Sequence, residues 1–424
     1  MSMRRISQLA AALLLAAVVA APPALAAGPT DSDRDRDAAA AEQGALAAAC
    51  AFAAMPTAKR LDVCRDLLAR PTIADPARAL GSLGLSEALR ESGDAMAALP
   101  FVETAIRLMP TFGPAYLSRG STLLELGEID GALRDASQAI DMDRRNPGGY
   151  MLRAEAYLRQ SAPAFALGDL DEAIAVAPGY AQARLVRAYA YLALDRKQEA
   201  LADARSALKL DPEMAAAYMV RARIYLADGE FQRAAADAER AVALAPEDRM
   251  ALDSASVAFT EVVRMDAAKA AADRLVALAP DNAEALNARC WILALTPDPE
   301  AALPDCDAAI AAGPEEFQAY DSRALTYWLL GRIPEARADL ARAAEIKPDF
   351  WDWSKREEYF VTVMTRRYLK SLGHYDGPID GGFDDLGPTV EAIRAYQADI
   401  GIEPTGEQSP ALMTRLGQDV AKLE

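Results

Sequence analysis

From about Gly113 to Pro348 the chain repeats itself every 34 residues, and that period constrains its fold more than any other feature. Arg119, Arg153, Arg187, Arg221, Arg289 and Arg323 occupy one phase of the period. Asp135, Asp169, Asp203, Asp237, Asp305 and Asp339 occupy another. The unit that carries Ala255 in place of the Arg also carries Ala271 in place of the Asp. Joint loss of a cation and an anion is what an Arg–Asp contact inside each unit would leave behind. A period of this length with helical spacing implies helix–turn–helix units. Each is too small to bury its apolar face alone, so it does so against its neighbours in an all-α stack.

The units run 113–146, 147–180, 181–214, 215–248, 249–282, 283–316 and 317–350. Position 20 is Ala in every one, from Ala132 to Ala336, and position 8 is always small, from Gly120 to Ala324. Small residues on facing helices allow close backbone approach. Position 32 is Pro from Pro178 onward and ends the second helix. With Tyr116, Tyr150, Tyr218 and Tyr320 at position 4, the pattern resembles the tetratricopeptide repeat. The resemblance implies an α-solenoid, a right-handed superhelix of helical hairpins covering 79–350, with a degenerate eighth unit over 79–112. Arg at position 7 is a minority form. The 249–282 unit lacks both the ion pair and the turn glycine, and is expected to open first or bend the array.

In that family the first helix of each unit lines the concave face. The resemblance therefore places Met151, Leu185, Tyr189, Met219, Arg223, Val257, Asn287, Trp291, Leu325 and Trp328 in a partner-binding groove. This strip, which also carries Asp253 and Asp321, is unusually apolar, and contiguous exposed apolar surface marks an interface. Met and Trp suit an adaptable or anchoring contact. No Lys/Arg cluster is present to clamp an acidic tail, so an apolar or amphipathic protein segment is the expected partner. A second copy of the chain is the alternative occupant. Superhelical twist or the protein's own tails, the 30–75 segment for instance, could also cover the strip.

At the amino terminus, Arg4 and Arg5 precede the apolar run Leu9–Ala21, and Ala24-Leu25-Ala26 is a cleavage-type sequence. Residues 1–27 read as a secretory signal peptide, which places the mature chain in the periplasm without a transmembrane segment. An oxidising compartment suits the four cysteines. Cys50 and Cys64 flank the turn Met55-Pro56-Thr57 within a separate hairpin over 28–78. Cys290 and Cys306 flank Pro297-Asp298-Pro299. Residues equidistant from a hairpin turn face each other, so two disulfides are expected, with four buried thiols as the alternative. The net charge of −18, which becomes −20 without Arg4 and Arg5, argues against nucleic acid as partner.

The period stops at Pro348. Trp351, Trp353, Tyr359 and Phe360 suit a capping helix and bridge over 351–361. Residues 362–424 change character. Leu372-Gly373-His374-Tyr375-Asp376-Gly377, then Asp380-Gly381-Gly382-Phe383, then Thr389, Ala392-Ile393 and Tyr396-Gln397, then Gly401-Ile402 and Thr405-Gly406 follow in order. This resembles the three-helix peptidoglycan-binding domain attached to bacterial cell-wall enzymes. The resemblance implies glycan contacts from Tyr375, Asp380, Phe383, Arg394, Tyr396 and Gln397. Core packing is the competing role, and for Phe383 and Tyr396 the favoured one. Asp384-Asp385-Leu386 lengthens the loop before the second helix and adds acid beside the presumed groove.

These readings converge on a non-catalytic periplasmic adaptor, with a protein on the array and peptidoglycan on the terminal module. A scaffold or self-associating protein whose module no longer binds polymer is the alternative. An enzyme acting on the wall lacks visible machinery. One His, His374, is too few for a zinc hydrolase, and a Ser–His–Asp centre would have to borrow it from a binding module. No metal or other cofactor is expected. A carboxylate pair is the one catalytic option that composition leaves open.

Overall fold

A computed structural model describes residues 31–52, 55–296, 298–348, 362, 364–377, 387–420 and 422–423. The leader, the tryptophans and aromatics of 351–361, and Asp380, Phe383 and the Asp384–Leu386 insertion lie outside the described residues. Regular structure among the described residues is helical throughout. The chain divides into two compact units, Met1–Pro212 and Glu213–Glu424.

The first unit opens with helices Asp31–Phe52 and Thr57–Leu68, joined by the Cys50–Cys64 disulfide with Cα atoms 5.2 Å apart. Both pack on the helix Asp75–Glu91. The approach is close: a Cβ on Gly84 would sit 2.5 Å from the Cys50 carbonyl oxygen. The 30–75 segment therefore seats on the start of the array instead of lying along the strip. The degenerate unit is a hairpin of Asp75–Glu91 and Ala95–Leu108. Its first helix begins four residues before the expected 79, because Pro76 sits in its first turn, where a missing N–H costs nothing. Three full hairpins follow: Gly113–Glu125 with Ile129–Met142, Pro147–Arg159 with Pro163–Val176, and Ala181–Ala193 with Lys197–Leu210.

The second unit continues the pattern with Ala215–Ala227 and Phe231–Leu244, then Arg249–Glu261 and Met265–Leu278. Ala283–Ala294 is paired with a 3-10 turn Pro299–Ala302 that runs into Leu303–Ala312, and Phe317–Leu329 with Ile333–Ile346. Cys290 and Cys306 bridge the penultimate hairpin, Cα atoms 5.1 Å apart. Helices at 364–371, Gly387–Asp399 and Pro410–Val420 complete the unit.

The period explains the packing. Position-20 alanines are fully buried in every unit: Ala132, Ala166, Ala200, Ala234, Ala268, Ala302 and Ala336 are all at 0% exposure. At position 8, a Cβ on Gly120 would meet Leu152 of the next hairpin at 2.5 Å, so the small side chain sets the spacing between units. Position 4 sets register. Tyr116 donates its hydroxyl hydrogen to the Pro110 carbonyl at 3.0 Å, and Tyr320 to that of Pro314 at 3.2 Å. Arg184, which replaces the aromatic, donates to Pro178 at 3.1 Å and keeps the same contact.

All six Arg–Asp pairs form. In each, Nε and Nη2 of the Arg donate to the two carboxylate oxygens at 2.6–2.8 Å, a bidentate geometry. The hydrogen bonds to Asp outweigh desolvation and raise the Arg pKa values, so the pairs stay ionised. Four further contacts reach back to the preceding hairpin: Arg187 Nη1 to Asp171 at 2.6 Å, Arg323 Nη1 to Asp307 at 2.6 Å, Arg153 Nη1 to Ser137 at 3.2 Å, and Arg289 Nη1 to Asp273 at 3.4 Å. The guanidinium also lies over aromatic rings, as Arg323 does over Tyr320 and Tyr327. Position 7 thus ties one helix to its partner and to the unit before.

Candidate interaction sites

The groove residues separate by position within the unit. Met151, Leu185 and Met219, at position 5, are only 3–5% exposed and pack between hairpins. Met151 belongs to one apolar cluster with Ile140, Tyr150 and Leu170. Leu325 and Trp328 are buried too, in a cluster shared with the terminal module. These five do not form an open lining. Helical spacing identifies a face, but the angle between successive hairpins turns position 5 into the seam. Tyr189 is half-buried in the first unit. In the second unit Arg223 is exposed, Val257 is exposed at 44%, and Asn287 and Trp291 are half-buried.

The last four line two adjoining clefts in the second unit. One, of about 480 Å³, is lined by Asp253, Val257, Glu261, Glu284, Asn287, Trp291, Glu316 and Asp321. The other, of about 790 Å³, shares Asp253, Val257 and Glu284 and extends to Arg223, Arg249 and Met250. Burial pushes the Asp253 carboxyl pKa up, and the Glu284 charge adds to it, against the opposing Arg223. The acids were legible as members of the strip, since Asp253 and Asp321 sit at position 5. Their convergence with Glu284 and Glu316 was not, because those lie in neighbouring hairpins.

In the terminal module, three of the four described glycan candidates are buried. Tyr396 is 2% exposed and donates its hydroxyl hydrogen to Asp419 at 2.7 Å. Gln397, 5% exposed, pins the Thr405–Gly406 turn: Oε1 accepts from the Gly406 N–H at 2.8 Å, and Nε2 donates to the Thr405 hydroxyl at 3.1 Å. These two hold the small domain's own fold and present little to a polymer. Tyr375 is buried beneath the Arg366 guanidinium, 6.0 Å from its ring centre. Arg394 alone is well exposed, paired with Glu391 on its own helix.

The module packs onto the array. One apolar cluster contains Cys290, Leu295, Cys306, Leu325 and Trp328 together with Tyr368, Leu369, Tyr375, Ile393, Met413 and Leu416. Tyr368 donates its hydroxyl hydrogen to the Leu295 carbonyl at 2.9 Å, and Arg367 is ion-paired with Glu261, which lines the cleft. Nothing local in the sequence announced this docking, because the residues on both sides belong to regular apolar helix faces.

Comparison with known proteins fits both halves. The tetratricopeptide repeat family model matches residues 117–183, 185–249, 264–317 and 298–349, together more than half of the chain. A peptidoglycan binding domain model matches 363–416. No curated protein matches the chain significantly. Among solved structures, a tetratricopeptide repeat protein of Thermus thermophilus is 28% identical over 44% of this chain and 99% of its own, with a TM-score of 0.39. The Cut9–Hcn1 complex aligns at 16% identity over 70% of this chain and 60% of its own, with a TM-score of 0.54, a likeness of fold alone. PilF of Pseudomonas aeruginosa is 16% identical over 50% of this chain and 96% of its own, with a TM-score of 0.46.

Proposed function

We infer the role of this chain from the premise that it belongs to the tetratricopeptide repeat family and ends in a domain of the peptidoglycan-binding type. We propose that it is a non-catalytic periplasmic adaptor, holding a protein partner on the repeats and cell-wall polymer on the terminal module. The observation that carries the reading is the union of these two binding folds in one chain. Two features support the location: the leader-like sequence over 1–27 and the cysteines paired as two disulfides. The open clefts beside Val257 and Trp291 support a partner site on the array.

The test is sedimentation with isolated peptidoglycan. The purified chain should pellet with the polymer and release no soluble fragments, and Arg394→Ala should lower the bound fraction several-fold. A chain that stays in the supernatant would overturn the wall-binding half, and release of fragments would overturn the non-catalytic half.

A specific observation favours a second reading. Tyr375, Tyr396 and Gln397 are occupied by packing, and the module is seated on the array's last hairpins. On that reading the module is a structural cap, and the protein is a scaffold that binds partners without holding polymer. It expects no sedimentation and undiminished partner binding.

A further inference from the structure

The clefts of the second unit have a charge pattern that specifies their occupant more closely. The 480 Å³ cleft is lined by Asp253, Glu261, Glu284, Glu316 and Asp321, with no Lys or Arg among its lining residues. Val257 and Trp291 supply apolar lining. Asn287 also lines it, with an Oδ1 that is closed from solvent and accepts no hydrogen bond within the protein. The same wall already holds one guanidinium, that of Arg367 on Glu261. The adjoining cleft is of mixed charge. It shares Asp253, Val257 and Glu284 and adds Arg223, Arg249 and the exposed Met250 to its lining.

We propose that the acidic cleft takes a single Lys or Arg side chain of an otherwise apolar segment of the array's protein partner. The proposal rests on the adaptor reading and names the chemistry of its partner. The cation meets Asp253 and Glu284, and its stem lies along Val257 and Trp291. The residues flanking it cover the apolar surface toward Met250. Arg223 and Arg249 repel a second cation, so a polybasic tract is excluded and the segment is oriented along the groove. Ionised Asp253 is poorly compensated in the free protein, so a cation placed there gains more than it would at a fully hydrated carboxylate.

The test is a random-peptide display library panned against the full-length chain at low salt. The expected enriched class has one Lys or Arg among apolar residues. A representative peptide should lose at least tenfold in affinity when its Lys becomes norleucine, and by a similar factor against Asp253→Asn/Glu284→Gln. Glu284 is solvent-exposed, and Asp253→Asn removes a charge that its surroundings disfavour, so this variant should melt no lower than the parent. Enriched peptides without a cation, or affinities indifferent to the double substitution, would overturn the proposal and leave the adaptor reading standing. A library with no enriched class would overturn both.

Discussion

Asp203 is 6% exposed and lies where only its guanidinium partner offsets the loss of water. Removing one member of such a pair strands the other, whereas removing both need not. Asp203→Ala should therefore destabilise the first unit by about 3 kcal/mol, and Arg187→Met/Asp203→Ala by far less, in denaturant unfolding followed by circular dichroism. Equal losses in the two variants would contradict the pairing argument. The contact was legible because the chain supplies its own alignment: Ala255 and Ala271 mark the one unit from which both charges are missing. The reach of Arg187 back to Asp171 was not, because the unit was read as self-contained. Tyr396 and Gln397 show the converse limit. Their order in a motif revealed the family, but a motif residue that holds a turn and one that touches ligand look alike in sequence.

At the scale of the element, hairpins turn through a residue in the left-handed region, and glycine is suited to it at Gly229, where φ is 72°. The 249–282 unit makes the same turn with Val263 at a φ of 62°, which strains a β-branched residue. The unit also lacks the bidentate pair. Arg264 compensates in part, stacked 4.7 Å from the Phe259 ring centre and paired with Glu239. Amide hydrogen exchange should be faster in Arg249–Glu261 and Met265–Leu278 than in Ala215–Ala227 and Phe231–Leu244. Slower exchange there would show that packing outweighs the missing pair and the strained turn. The hairpins and their small-residue contacts were legible from the period alone. The seam at Met151, Leu185 and Met219 was not, since it depends on how successive hairpins rotate, which no single helix encodes.

At the scale of the molecule, the amino-terminal hairpin is closed by Cys50–Cys64 onto the start of the repeats, and the terminal module covers Leu325 and Trp328 at their end. In the second unit the strip residues that stay open line the clefts between Arg223 and Asp321, where charge is concentrated. The central claim is that one molecule joins a protein to the wall. It is tested most directly by sedimenting isolated peptidoglycan through a periplasmic extract with and without the purified chain. The account predicts that a defined set of proteins pellets only when the chain is present, and is lost when Asp253→Asn/Glu284→Gln replaces it. An identical pellet with and without the chain would contradict it.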